Sequence, residues 1–238
     1  MNTDQLTPPT GNLTLDQIQA ESQRYMVKVY GWMCLALFVT GLMAMYTASS
    51  EVLISIIFQN QFVFFGLLIL ELVVVVTLAG LVQKMSASTA TLIFIGYSLL
   101  NGLTLSVIFF VYTTESIAST FFVTAGTFGV MSFYGYTTKS DLSKWGSLLF
   151  MGLIGLIIAS IANFFMKSTM LYWITTYIGV IIFVGLTAYD TQKIKNSNVI
   201  GNEGTEEDSK EAIMGALTLY LDFINLFLYL LRIFGKRK

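Results

Sequence analysis

The chain has 238 residues, of which 55% are hydrophobic and 11% charged, with a net charge of −1 and no histidine. Soluble domains carry roughly 25% charged residues, so this composition predicts an integral membrane protein, and so small a net charge gives no attraction for nucleic acid. Without histidine, Ser-His-Asp hydrolysis and histidine metal sites are excluded, and the single Cys34 excludes an intrachain disulfide.

The N-terminal 24 residues are polar and acidic, and they lack the basic start and apolar core of a secretory signal. They predict a soluble tail at 1–24, followed by one membrane domain at 25–238. The two prolines of the chain, Pro8 and Pro9, both fall in this tail. No membrane helix is therefore predicted to be kinked by proline.

Seven later segments are apolar over the length of about 20 residues that a membrane-spanning helix needs. Most connections between them are short, which favours antiparallel neighbours in one bundle. The exception is the polar stretch 194–211, which contains NSNVIGNEGTEEDSKE. We predict an all-α fold with spans at about 27–47, 61–83, 89–112, 116–136, 145–166, 171–193 and 212–234.

The distribution of Lys and Arg predicts the orientation, because these residues concentrate on the cytoplasmic side. With the N-terminus inside, the inner segments hold eight of them near the ends of the spans, and the outer connections hold only Lys167. The basic C-terminal RIFGKRK then lies outside, unless the seventh segment is re-entrant. Its 23 residues from Ala212 to Phe234 favour a true span.

Small residues at close spacing predict where helices touch. The fourth span contains GTFG, with Gly126 and Gly129, and the fifth contains MGLIG, with Gly152 and Gly155. We expect close helix contacts at these glycines.

Three acidic residues lie within predicted spans: Glu71 in the second, Asp190 in the sixth and Asp222 in the seventh. A carboxylate at that depth costs a few kcal/mol, and no Lys or Arg lies mid-span to neutralise it. Protonation, a shared proton or contact with water costs less. If Asp190 and Asp222 meet, they share one proton and titrate as a coupled pair, which supplies a pH switch without histidine.

Contact between the two aspartates is favoured because their spans are sequential and antiparallel. Asp190 lies near the inner end of the sixth span, whereas Asp222 lies ten residues into the seventh, or roughly 15 Å at helical rise. The depths match only if the sixth helix extends past Lys195 or the seventh starts late.

Polar residues recur at helical spacing along three of the spans. Interhelical hydrogen bonds, worth about 0.6 kcal/mol each, account for the neutral ones, but asparagine would serve that purpose at lower cost than aspartate. Glu71, Thr187 and Asn225 are our candidates for an ion pathway along these faces. The faces comprise Tyr97, Asn101 and Thr104 in the third span, Thr187, Asp190 and Thr191 in the sixth, and Thr218, Asp222, Asn225 and Tyr229 in the seventh.

The stretch GLTAYDTQKIK, followed by GALTLYLDFINLFLYLLRIFG, resembles the signature of the Bax inhibitor (transmembrane BAX inhibitor motif) family, particularly its bacterial branch. VYGWMCLALFVTGLMA and FGVMSFYGYTTKSDLS are also similar to it, so the resemblance covers about 25–236. It implies a seven-helix bundle with the C-terminal helix central, and a pH-sensitive calcium leak. We expect a multi-pass protein of the bacterial cytoplasmic membrane, with no cofactor and with calcium ions and the lipid bilayer as partners.

The resemblance also implies roles for single residues. Asp190 and Asp222 correspond to the paired pH sensor that opens or closes the pore, and Glu71 to the family's acidic residue on the second helix. Because carboxylate oxygens suit Ca²⁺, the two aspartates are also candidates for transient calcium contact. Family members place a basic residue toward the inner end of the second helix as a latch for the sixth-helix aspartate, and here Lys84 is the candidate.

Two other functions compete with a channel. Intramembrane aspartyl proteases also carry Tyr-Asp on their sixth helix, like Tyr189-Asp190, but their Gly-x-Gly-Asp reads LYLD here and no proline follows Pro9 to form Pro-Ala-Leu. We therefore expect no enzyme. The alternative is a non-enzymatic regulator that binds other membrane proteins, such as a membrane-bound protease. Neither the tail nor 194–211 shows a docking motif for one.

Overall fold

The computed structural model describes residues 14–238, so the predicted soluble tail up to residue 13 lies outside the described residues. The described chain is helical, with no β-strand apart from one isolated bridge. Its helices are α1 (Leu15–Ser49), α2 (Glu51–Phe58), α3 (Gln61–Leu81), α4 (Ala87–Leu105), α5 (Ile108–Val111), α6 (Thr114–Thr137), α7 (Ser143–Met166), α8 (Thr169–Ser197) and α9 (Glu206–Phe234).

Seven helical stretches within 14–238 are long and apolar enough to cross a membrane. Each predicted span falls on one of them, apart from Tyr112, which lies just past the end of α5. The prediction of an all-α multi-pass membrane protein is therefore confirmed. The stretches are Leu15–Ser49, Gln61–Lys84, Ala87–Val111, Thr114–Thr137, Ser143–Met166, Thr169–Ser197 and Glu206–Phe234.

The helix ends differ from the predicted span ends because capping side chains, rather than hydropathy, set them. Thr14 and Gln17 form a capping box that starts α1 at Leu15, so residues 15–24 of the predicted tail are helical. Asn60 and Ser86 likewise accept hydrogen bonds from the first turns of α3 and α4. The polar first turns of a helix lie outside the apolar stretch that hydropathy detects.

The seventh span, α9, is one continuous helix of 29 residues, as predicted for a true span rather than a re-entrant segment. It is also the most buried of the seven: 67% of its apolar window is buried, against 6–44% for the others. Leu219, Tyr220 and Leu226 have no exposed surface. Such burial is what the resemblance implies for the C-terminal helix.

Two compact units make up the described chain. The first contains residues up to Ser106 together with Ile194–Leu217, and the second contains Val107–Lys193 together with Thr218–Lys238.

In the first unit, ionic contacts hold the polar stretch after α8 against α1. The Arg24 guanidinium donates to both Glu203 carboxylate oxygens, at 2.6 and 2.7 Å, and this lowers the pKa of Glu203. Lys28 Nζ lies 3.0 Å from Asp208 Oδ2, and Gly201 N donates to Glu21 Oε1 at 2.7 Å. The connection 198–205 is therefore bound to the first helix.

In the second unit, close helix packing depends on glycines other than the predicted ones. A Cβ at Gly135 would strike the carbonyl oxygen of Ala188, and one at Gly146 would strike the ring of Tyr189. By contrast, a Cβ at Gly126, Gly129 or Gly155 would meet no described atom within 4 Å, so the contacts predicted there are wrong. Gly152 is the exception, since its Cβ would lie 3.1 Å from Ile182 Cδ1.

The C-terminal residues after α9 are bound to the turn that precedes α6. Tyr112 and Arg237 form an isolated antiparallel bridge. Thr113 N donates to Lys236 O at 2.9 Å, and Lys238 N donates to Val111 O at 3.1 Å. The basic end of the chain therefore lies beside the start of α6.

The glycine contacts predict a difference between two substitutions on α6. We expect Gly135→Ala to lower the thermal unfolding temperature of the purified protein in detergent, because overpacking typically costs about 1–3 kcal/mol. Gly129→Ala is the matched control, since open space surrounds that position and alanine favours helix by about 1 kcal/mol over glycine. Equal unfolding temperatures for the two variants would contradict this contact.

Candidate functional site

Asp190 and Asp222 lie on α8 and α9 and both belong to the second unit. Asp190 precedes the end of α8 by seven residues, and Asp222 follows the start of α9 by sixteen, which correspond to about 10 and 24 Å of helix. The eight residues 198–205 connect the two ends, and such a segment extends up to about 26 Å. The connection is therefore long enough to allow for the different distances of Asp190 and Asp222 from their helix ends, so the two residues can lie at the same depth.

The two carboxyl groups lie close enough for each to act on the ionisation of the other. A hydrogen bond between them would need a proton on one of the two groups, because a carboxylate can only accept. Asp222 is only 5% exposed, whereas Asp190 is half-buried. Asp222 Oδ2 has no hydrogen-bond partner among the described residues. The pair therefore contains one buried carboxyl oxygen without a partner among the described residues.

Among residues 14–238, Lys193 is the positively charged side chain that interacts electrostatically with this pair, through Asp190. It follows Asp190 by three positions on α8, so the two side chains project from neighbouring positions on the helix. Its Nζ lies 5.9 Å from the centre of the Tyr189 ring, and no ion pair of 4 Å or less with Asp190 is present. Lys193 is not among the predicted site residues, although its spacing of three from Asp190 is visible in the sequence.

Two close backbone contacts flank Asp190. Gly135 of α6 meets the backbone of Ala188, and Gly146 of α7 meets the ring of Tyr189. At the residue after Asp190, the hydroxyls of Thr191 and Ser132 are hydrogen-bonded at 2.9 Å. Asp190 therefore projects from a stretch of α8 packed against two other helices.

The proposed pathway residues on α8 and α9 form hydrogen bonds within their own helices. Thr187 Oγ1 donates to Phe183 O at 2.7 Å, and Asn225 Nδ2 donates to Leu221 O at 2.8 Å. These bonds satisfy one donor on each side chain, and a role in ion passage stays a prediction.

Glu71 lies in the first unit, where its partners are on α4. Thr104 Oγ1 donates to Glu71 Oε1 at 2.7 Å, and Asn101 Nδ2 lies 3.5 Å from Oε2. Both partners belong to the polar face predicted for the third span. That face therefore binds the carboxyl group of Glu71.

Lys84, the candidate latch, ends the 3₁₀ turn Val82–Lys84 that follows α3. Its side chain is exposed, and it forms no ion pair with any residue in the described part of the chain. The latch role stays a prediction.

The described residues contain no group of three or more acidic, cysteine or histidine side chains arranged to hold a metal ion. The aspartate pair supplies two carboxyl groups, whereas Ca²⁺ takes six to eight oxygen ligands. Transient calcium contact at Asp190 and Asp222 stays a prediction.

Comparison with known proteins agrees with this architecture. The family model described as "Inhibitor of apoptosis-promoting Bax1" matches residues 22–238. The "Inner membrane protein YbhL" of Escherichia coli strain K12 is 56% identical over 223 residues, which cover 93% of this chain and 95% of that protein. "Uncharacterized protein RP147" of Rickettsia prowazekii is 46% identical over 239 residues, covering 99% and 98%. The chain therefore belongs to the Bax inhibitor family of multi-pass membrane proteins.

Proposed function

We propose that this protein is a pH-gated calcium leak, with Asp190 and Asp222 as its proton sensor. The observation that carries the proposal is the interacting pair of carboxyl groups on α8 and α9, with Asp222 almost fully buried. The proposed calcium leak requires no enzymatic step and no cofactor.

The sign of the pH response follows from the charge of the pair. With one proton present, the hydrogen bond holds α8 to α9. Loss of that proton leaves two like charges in contact, which repel by about 4 kcal/mol at an effective dielectric constant of 20. The same two charges attract cations, so deprotonation favours both separation of the helices and entry of Ca²⁺.

We further propose that the protein lies in the bacterial inner membrane with its N-terminus in the cytoplasm. The E. coli relative is named an inner membrane protein, and the Lys and Arg residues favour this orientation. With seven spans, Lys238 then lies outside. Alkaline phosphatase fused after Lys238 is expected to be active in whole cells, and a fluorescent cytoplasmic fusion partner to be dark. The reverse result would contradict the orientation.

The leak is testable with the purified protein in liposomes that enclose a calcium dye. We expect calcium entry to rise between about pH 6 and about pH 8, because the pair loses its shared proton in this direction. Asp190→Asn and Asp222→Asn should each abolish most of that pH dependence, since a single remaining carboxyl group has no like charge to repel. Asp141→Asn, which alters an exposed carboxylate outside the spans, is the control.

Equal calcium entry across this pH range would contradict the proposal. Because the liposomes contain no other protein, absence of flux at every pH would point instead to a regulator that acts through a partner such as a membrane-bound protease.

Lys193 gives a second, finer test. Its positive charge favours the ionised form of Asp190, so Lys193→Gln should move the midpoint of the flux–pH curve upward. The expected shift is up to about 0.7 pH unit, because such a charge interaction is worth up to about 1 kcal/mol and one pH unit corresponds to about 1.4 kcal/mol. Lys139→Gln removes an exposed lysine from the same unit as control. A midpoint that does not move, or moves equally in both variants, would rule out this role.

A further inference from the structure

A cavity of about 540 Å³ lies in the second unit, where α7 ends, α8 begins and α9 ends. We call it the end cavity. Its lining contains the basic residues Lys167, Arg232 and Arg237 and no acidic residue. The volume falls within the range of about 300–1,000 Å³ that is usual for small-ligand sites.

The positive charges of the end cavity have no anionic partner among the residues that the structure describes. Within 14–238, none of the three basic side chains forms an ion pair. The Arg232 guanidinium instead lies over two aromatic rings, 5.4 Å from the centre of Tyr172 and 4.9 Å from that of Tyr229. This contact holds the guanidinium in place and leaves its charge available to a ligand.

Lys167 contributes an unusual backbone conformation as well as a charge. It ends α7 with φ 50° and ψ 34°, and it is the one non-glycine residue with positive φ in the described chain. Helices usually end in this conformation with glycine or asparagine, because other side chains strain it. A lysine here places a cation in the cavity at the expense of local stability, as is typical of functional positions.

The first turn of α8 completes the polar part of the end cavity. Ser168 and Thr169 line it, and Ser168 Oγ accepts a hydrogen bond from Leu171 N at 3.3 Å. The N-terminus of this 29-residue helix adds the positive end of the helix dipole to the three basic side chains. Together these groups suit a phosphate, which arginine recognises through paired N–H donors.

Apolar side chains next to the end cavity indicate where that phosphate comes from. Three apolar residues are near neighbours in sequence of the residues that line the cavity, and they are largely exposed: Phe165 (76%), Met166 (67%) and Met170 (75%). Trp173 lines the cavity and stacks on Tyr177, with ring centres 5.9 Å apart. Trp and Tyr favour the level of lipid headgroups. An inorganic phosphate would contact none of this apolar surface, whereas the acyl chains of a lipid would cover it.

We propose that the end cavity is a binding site for the phosphate of an anionic phospholipid, held by Lys167, Arg232 and Arg237. Its acyl chains extend along the exposed apolar surface beside α7 and α8. The site is separate from the aspartate pair in sequence and in chemistry, so it does not depend on the proposed channel function.

Native mass spectrometry of the full chain in neutral detergent tests the site directly. We expect phosphatidylglycerol to bind more tightly than phosphatidylcholine, and its binding to weaken with added salt. In Lys167→Asn/Arg237→Gln the affinity should fall about fivefold for each charge removed. Asparagine retains the left-handed conformation at 167, and the Arg237 side chain is exposed, so this variant should fold. Arg232 stays unchanged because it packs on two tyrosines.

Lys144→Gln is the matched control, because it removes an exposed lysine at the opposite end of α7. An equal loss of affinity in this control and the double variant would overturn the proposal, since binding would then reflect general surface charge. Equal binding of the two lipids, with no effect of the double variant, would also overturn it. A third measurement compares how far inorganic phosphate and phosphatidylglycerol raise the thermal unfolding temperature of the protein. If inorganic phosphate stabilises the protein as strongly as phosphatidylglycerol, the assignment to a lipid is wrong.

Discussion

Two carboxyl groups that touch inside a membrane protein cannot both carry a charge without a large cost. Asp190 and Asp222 interact in this way, with Lys193 as their positively charged neighbour, and under the proposed function they share one proton. Asp222 has almost no exposed surface, so its charge cannot be hydrated where it stands. Under the proposed function, the contact between α8 and α9 therefore depends on protonation, and the surrounding structure has to tolerate both charge states of the pair.

The packing around Asp190 shows how closely α8 is held. Gly135 and Gly146 admit the backbone of Ala188 and the ring of Tyr189 without a side chain between them. Thr191 adds a hydrogen bond to Ser132 on α6. A helix fixed on two sides next to Asp190 offers little room for that carboxyl group to turn away. If both aspartates are ionised, movement of α9 away from α8 is then the way to relieve the repulsion between them.

Hydropathy was sufficient to predict the seven spans, because a membrane-crossing helix is defined by its apolar length. Hydropathy was insufficient for the helix ends, which capping hydrogen bonds of residues such as Thr14 and Asn60 set. The aspartate pair was predictable from the cost of burying charge, although the depth match depended on the connection 198–205. Which glycines form contacts was not predictable, because sequence spacing does not say which face of a helix meets a neighbour. Gly129 and Gly135 lie on the same helix and differ only in that respect.

The unpartnered Oδ2 of Asp222 has one more consequence under the proposed function. A proton and a calcium ion would then compete for the same carboxyl oxygens. Competition of this kind is reciprocal, because each ligand weakens the other by the same factor at equilibrium. The pH at which the leak opens would therefore not be a constant of the protein but would fall as calcium rises. Such a protein would respond to the ratio of two ions rather than to acidity alone.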